Sequence, residues 1–217
     1  MAEPHIYLTP PDESRPRRAH MPVHRALRWR TIFEANEPEK TVSIFVSPRA
    51  FVRFSAHAGS DLENEVGGWL VGKWRADMET GSQFIIIETV LPARHTRFGS
   101  TFLTFTQDSQ VWLYDQLQEY YPNKELVGWY HTHPRMGVFL SEYDTWLHRN
   151  FFPESYQVAL VIEPHSSSGG FFVRGEDGEL NVQGYCGFYE LNNGRKRSVV
   201  HWHNMISEVE NISELGG

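Results

Sequence analysis

The sequence has one cysteine, Cys186, among 217 residues, so no intrachain disulfide is available and the fold must rest on its core. It also has no apolar run of membrane-spanning length, since even Phe84-Ile85-Ile86-Ile87 is closed by Glu88. The amino terminus, Met1-Ala2-Glu3-Pro4-His5, lacks an apolar signal core. Together these absences set the expectation of a cytoplasmic protein that does not enter a membrane. Internal repeats, heptads and a Gly-rich phosphate loop are missing as well. A positive surplus is absent: the formal charge of −7 argues against generic nucleic-acid binding. Arg15, Arg17, Arg18, Arg25, Arg28 and Arg30 do form a basic island, read as a solvated arm or a partner contact.

What is present is enough for one core. With 40% hydrophobic and 14% aromatic residues, a single domain is expected. Residues 1–40 are rich in Pro and Arg without sustained periodicity and read as an extension that wraps or frays. Val42 to Val46 alternates like a strand, and Ser47-Pro48 supplies an N-cap and first-turn proline for a helix through about Ala58. Strands are expected at Gly68 to Trp74, Gln83 to Leu91 and Thr101 to Thr106. A helix from Ser109 to Tyr121 follows, with Leu113, Leu117 and Tyr120 at core spacing. Further strands are expected near Gln157 to Ile162, Gly170 to Arg174 and Gln183 to Glu190, completing an α/β order. The tail, 192–217, is read as helical from Ser198.

The most informative stretch is His131-Thr132-His133-Pro134, followed by Ser141 and Asp144. An extended backbone sends alternate side chains to one side, so His131 and His133 can reach one ion while Thr132 faces away. Pro134 biases His133 toward the extended region. Ser141-Glu142-Tyr143-Asp144 opens an amphipathic stretch, which places Asp144 in the first turn of a helix. Three protein ligands leave the fourth tetrahedral position for water, the open arrangement of a catalytic zinc site. Ser141 and Asp144 also read as a plain helix start, and both readings can hold together. His201-Trp202-His203 has the same spacing but no carboxylate follows it, and it is read as a decoy. Glu65, ahead of Gly67-Gly68 and an apolar strand, is either a solvated loop acid beside Asp61 and Glu63 or a buried functional acid.

Taken together, Glu65 with Gly68-Trp69-Leu70-Val71-Gly72, the run Val127 to Pro134, and Gly137-Val138-Phe139-Leu140-Ser141 with Asp144 resemble the JAMM (MPN-plus, Mov34/MPN/PAD-1) zinc metalloprotease family. The motif is nearest to the deubiquitinating subunits of the proteasome lid and the signalosome. Gln157 to Pro164 resembles the strand that follows the metal helix there. The resemblance covers about residues 41–191 and implies a single JAMM/MPN-type domain, a mixed curved β-sheet flanked by helices, cytidine-deaminase-like. It implies one catalytic Zn²⁺ on His131, His133 and Asp144, with Glu65 and Ser141 catalytic. It further implies ubiquitin or ubiquitin-like conjugates as substrates. Departures bear on specificity: Gly67 replaces a common cysteine, Arg135-Met136 a Gly-aromatic pair, and Phe139 a tryptophan. Arg135, Met136 and Phe139 are therefore the expected substrate-binding positions. With Cys186 alone, a cysteine-containing second zinc site is not expected.

The residue types suit amide hydrolysis. Zinc lowers the pKa of its water toward about 7. Glu65 is the candidate proton carrier, a role typically contributing about 10²–10⁴-fold. The Ser141 hydroxyl is the candidate donor to the developing oxyanion. Three other readings remain: a zinc amidohydrolase acting on a small peptide or sulfur-carrier adduct, non-haem iron on the two-His-one-carboxylate set, and a non-catalytic MPN-type scaffold. Gly216-Gly217 resembles the end of a modifier, but is read as a chance ending.

Overall fold

The computed structural model of the chain describes residues 15–32, 40–93, 97–99, 102–104, 106–192 and 197–208. Its strands are β1 (Arg17–Ala19), β2 (Ala26–Thr31), β3 (Ser43–Val46), β4 (Gly67–Asp77), β5 (Gln83–Pro92), β6 (Arg97–Gly99), β7 (Phe102–Thr104), β8 (Glu125–Thr132), β9 (Val158–Glu163), β10 (Ser168–Phe172), β11 (Phe188–Leu191) and β12 (Met205–Ser207). The α-helices among the described residues are α1 (Pro48–Ala58), α2 (Gln107–Tyr120) and α3 (Glu142–Phe151). One mixed sheet runs β10-β9-β8-β4-β5-β3-β11-β2-β12, with β1 parallel to the end of β4, while β6 and β7 form a separate hairpin. The β8–β9, β3–β5 and β3–β11 pairs are parallel and the remaining pairs on the path antiparallel.

The period-two alternation of β9 sorts the core into two layers. Val158, Leu160 and Ile162 pack with Phe51 and Phe54 of α1, whereas Ala159 and Val161 pack with Leu113 of α2 and Leu147 of α3. A strand buried on both faces reads as a continuous apolar run, as Val158–Glu163 does. Burial of each phenylalanine of α1 contributes about 1.5–3 kcal/mol. Helix α1 begins where expected, the Ser47 hydroxyl accepting from the Ala50 amide at 3.1 Å with Pro48 in the first turn. At Gly68 a Cβ would lie 2.2 Å from the Leu91 carbonyl oxygen, so β4 and β5 approach this closely only around glycine.

Three expectations are corrected. The described part of the segment 1–40 is not a separate extension: β1 and β2 are strands of the sheet, and Asp77 at the end of β4 accepts the Met21 amide at 2.9 Å. The tail 192–217, expected to be helical from Ser198, is not helical at residues 197–207. It enters as β12 on the edge of β2, because Trp202 is buried against Phe51, Phe54 and Phe188. The decoy reading of His201-Trp202-His203 fits this placement, with both histidines exposed around the buried Trp202. The third core position after Leu113 and Leu117 falls to Tyr121, the C-cap of α2, rather than to Tyr120, which is 59% exposed. The stripe there advances by four residues, 113 to 117 to 121, so Tyr120 turns outward. Gly216-Gly217 lie outside the described residues.

Candidate metal centre

β8 is flanked by β4 on one side and β9 on the other, and its last residues deliver the histidines. His131 pairs with Val161 and the His133 amide donates to the Ile162 carbonyl at 2.9 Å, so the extended backbone persists through His133. Alternation then puts both imidazoles on one side, with their Nε2 atoms 2.9 Å apart. Thr132 faces the other way and is not idle. Its hydroxyl accepts the Val66 amide at 2.9 Å, and its own amide donates to the Val66 carbonyl at 2.8 Å.

Asp144 arrives from the first turn of α3. A capping box fixes that turn: the Ser141 hydroxyl accepts the Asp144 amide at 3.1 Å, and Asp144 Oδ2 accepts the Ser141 amide at 2.8 Å and its hydroxyl at 2.7 Å. The remaining directions of the carboxylate face the histidines, with Oδ1 3.3 Å from His131 Nε2 and Oδ2 3.5 Å from His133 Nε2. Burial pushes the Asp144 carboxyl up, but His131 beside it and the hydrogen bonds from His131, His133 and Ser141 outweigh this and hold it well below the usual carboxylate range. Burial lowers the His131 pKa against the pull of Asp144, which keeps the imidazole neutral and able to offer a lone pair.

These three side chains are buried, and one ligand atom from each lies within 4.8 Å of the others. The donor set is two imidazole nitrogens and one carboxylate, which zinc accepts with a position to spare. The geometry fits such an ion on its own terms. Two Nε2 atoms face each other and a carboxylate, and a cation at the convergence satisfies all three acceptors when the ring protons sit on Nδ1. Both Nδ1 atoms lack a hydrogen-bond partner among the described residues. The rings are held instead by aromatic neighbours: Trp129 lies 4.6 Å from His131 at 8°, and Phe139 is 4.7 Å from His133.

Glu65 is not the solvated loop acid of the plainer reading; it is 2% exposed. The Asp61 carboxylate accepts the Glu63 and Asn64 amides, both at 2.9 Å, which turns the chain sharply before Val66 is fixed by Thr132. Glu65 is thereby directed inward, and its Oε2 has no hydrogen-bond partner among the described residues. Burial pushes its carboxyl up to about 7, with His133 pulling it down and the charge on Asp144 adding to the rise.

The three expected substrate positions lie on the loop after His133. Phe139, 43% exposed, borders the centre through its ring contact with His133. Arg135 adopts a φ of 60° and points outward, where both of its terminal nitrogens pair with Glu63 at 3.0 Å. Met136 is exposed on the same turn, its amide donating to the His133 carbonyl at 3.2 Å. Sequence reasoning passed over Thr132, Trp129 and His148. Thr132 faces away from the ion, but a hydroxyl on the buried side of a strand needs a partner and so carries information. Nothing in the local pattern links Trp129 to His148.

Residues 39–153, which include Glu65, His131, His133, Ser141 and Asp144, match the family described as JAB1/Mov34/MPN/PAD-1 ubiquitin protease. Among curated proteins the chain is similar to AMSH-like ubiquitin thioesterase 2 of Arabidopsis thaliana, 25% identical over 156 residues, covering 70% of this chain and 66% of that one. It is similar to ubiquitin carboxyl-terminal hydrolase RPN11 of Saccharomyces cerevisiae, 26% identical over 132 residues, covering 60% and 42%. COP9 signalosome complex subunit 5 of Yarrowia lipolytica is 29% identical over 143 residues, covering 63% and 36%. The chain thus spans between about a third and two thirds of the length of these relatives. A solution structure of a protein from Desulfitobacterium hafniense shares the fold with a TM-score of 0.50 at 20% identity, covering 64% of this chain and 89% of that one. With more than half of its residues matched to the family and the motif folded into one buried cluster, the chain belongs to the JAB1/Mov34/MPN/PAD-1 family.

Proposed function

We propose that this protein is a zinc-dependent isopeptidase that hydrolyses the amide bond after the C-terminal Gly-Gly of ubiquitin or a ubiquitin-like modifier. The observation that carries this reading is the convergence of His131, His133 and Asp144 next to a buried carboxyl, Glu65, whose Oε2 lacks a partner among the described residues. Zinc, when bound, supplies a water acidified into the neutral range and an electrophile for the scissile carbonyl. The residues of the chain do the rest. Glu65, with its carboxyl pushed up to about 7, is matched to accept a proton during attack and return it to the departing amine. His131, His133 and Asp144 hold the ion. Ser141, whose hydroxyl donates to Asp144 at 2.7 Å, would give up that bond to donate to the carbonyl oxygen as that atom gains charge, an interaction contributing about 2.7–4 kcal/mol in comparable sites.

The modifier class is supported by the names of the relatives, a ubiquitin thioesterase and a ubiquitin carboxyl-terminal hydrolase. Phe139 beside His133, with Met136 and Arg135 further along the loop, lines the approach for the extended tail in this reading. The test is a cleavage panel of isopeptide-linked and linear ubiquitin-like substrates with and without a chelator. Selective, chelator-sensitive release of a modifier is expected. Zinc-loaded protein that binds these conjugates and releases nothing would leave only a binding scaffold.

A further inference from the structure

A metal-bound imidazole is ordinarily held in its plane by a hydrogen bond at its other nitrogen. His131 has no such bond among the described residues. Its ring lies flat on the Trp129 indole instead, with centroids 4.6 Å apart and planes 8° from parallel. The contacts of Nε2 with Asp144 and His133 fix one end of the ring, so the plane of the His131 imidazole depends on the placement of Trp129. That indole is itself tied to α3: Trp129 Nε1 donates to His148 Nδ1 at 3.0 Å, both residues being fully buried.

His148 stands four residues after Asp144 on α3, on the same face and one turn further along. The helix that carries the carboxylate therefore also carries the acceptor that locks the support of a histidine on β8. Burial, with Arg174 nearby adding to the effect, keeps His148 neutral by holding its pKa down at about 3. Because Nδ1 accepts from the indole, the ring proton sits on Nε2. That atom is buried with no partner among the described residues. An orphaned donor of this kind is retained against a cost to stability, and an apolar side chain of similar size would remove it only by leaving the buried Trp129 indole N–H without its acceptor. Packing accounts for a large residue here; it does not account for a histidine.

We infer that His148 is a positioning residue for the metal centre, holding the Trp129 indole and, through it, the plane of the His131 imidazole in register with Asp144. This rests on the reading of His131, His133 and Asp144 as metal ligands and on nothing about the substrate.

The test is zinc affinity of the full chain by competition with a chromophoric chelator, together with the visible spectrum of the cobalt-loaded protein. His148→Leu removes the acceptor, exchanging the orphan at His148 Nε2 for one at Trp129 Nε1; His148→Asn places Oδ1 where Nδ1 stood. His148→Leu is expected to lose about 10–100-fold in zinc affinity and to alter the cobalt bands, while His148→Asn stays within about threefold of the parent. The metal-free variants should melt within about 2–4 °C of the parent, the shift of roughly 1 kcal/mol at this size. Trp129→Phe should also weaken binding, and adding His148→Leu to it should weaken binding no further, since the two act in series. Parent-like zinc affinity and cobalt bands in a folded His148→Leu would overturn the inference while leaving the metal site standing. Equal losses in the Leu and Asn variants would overturn it too, by assigning the position to packing. A parent protein that binds no zinc would overturn both the metal reading and this one.

Discussion

Thr132 and Val66 are joined twice, the hydroxyl of Thr132 accepting the Val66 amide at 2.9 Å and the Val66 carbonyl accepting the Thr132 amide at 2.8 Å. The residue between the two histidines thus anchors the chain on which Glu65 sits. One strand end supplies two candidate ligands on one face and, from the other, the tie that brings in the candidate acid.

Replacing Thr132 with valine keeps the shape and deletes the acceptor, leaving the buried Val66 amide without a partner. Destabilisation of about 1–3 kcal/mol is expected, with a fall in turnover at unchanged zinc content because Glu65 is less well placed. Thr132→Ser restores both. Denaturant unfolding alongside single-turnover cleavage checks this; equal behaviour of the valine and serine variants would show that the hydroxyl does nothing.

Glu65→Gln should separate stability from activity. The folded carboxyl is raised from 4.5 to about 7, so the native state binds a proton more readily than the unfolded chain. Ionising it opposes folding increasingly as pH rises from about 4.5 to about 7, and the penalty is constant above that. The metal-free Gln variant should therefore gain on the order of 1–3 kcal/mol over the parent at pH 8 and little at pH 4. Its turnover should fall by about 10²–10⁴-fold with zinc retained. A parent-like rate would end the assignment of Glu65 as the proton carrier.

Asp77 predicts an acid-sensitive tie between the amino-terminal segment and the sheet. The Met21 amide first, then the Thr80 amide and hydroxyl, hold its carboxyl down at about 2 from 3.8. A depressed folded value means stability that is complete above about pH 4 and lost as pH falls toward 2. Asp77→Ala should remove that part of the acid transition and raise hydrogen exchange at Met21. An unchanged stability profile between pH 4 and pH 2 would refute the tie.

Trp202 should matter as a core residue rather than as part of a histidine pair. It is 3% exposed and lies 5.0 Å from Phe51 and 5.8 Å from Phe54, ring to ring. Trp202→Ala is expected to cost about 3–5 kcal/mol and to loosen β12, whereas His201→Ala and His203→Ala leave zinc content unchanged. Metal loss in either histidine variant would contradict this.

Within fourteen residues, the chain itself determined most of the candidate metal centre. Period-two geometry puts His131 and His133 on one face, and Ser141 with Asp144 writes its own helix start, since both depend on nearest neighbours along the backbone. The strand-then-helix order from Ser43 to Ala58 and the double burial of β9 were legible for the same reason. Periodicity names the faces of an element, however, without naming what each face meets. The entry of Glu65 from 66 residues upstream of His131, the use of Thr132 on the far face, and the seat of Trp129 on His148 exist only once β4, β8 and α3 are packed. So do the places of β1, β2 and β12: a short strand is a weak local signal, and these gain their energy from Asp77, from their sheet neighbours and from the pocket that receives Trp202.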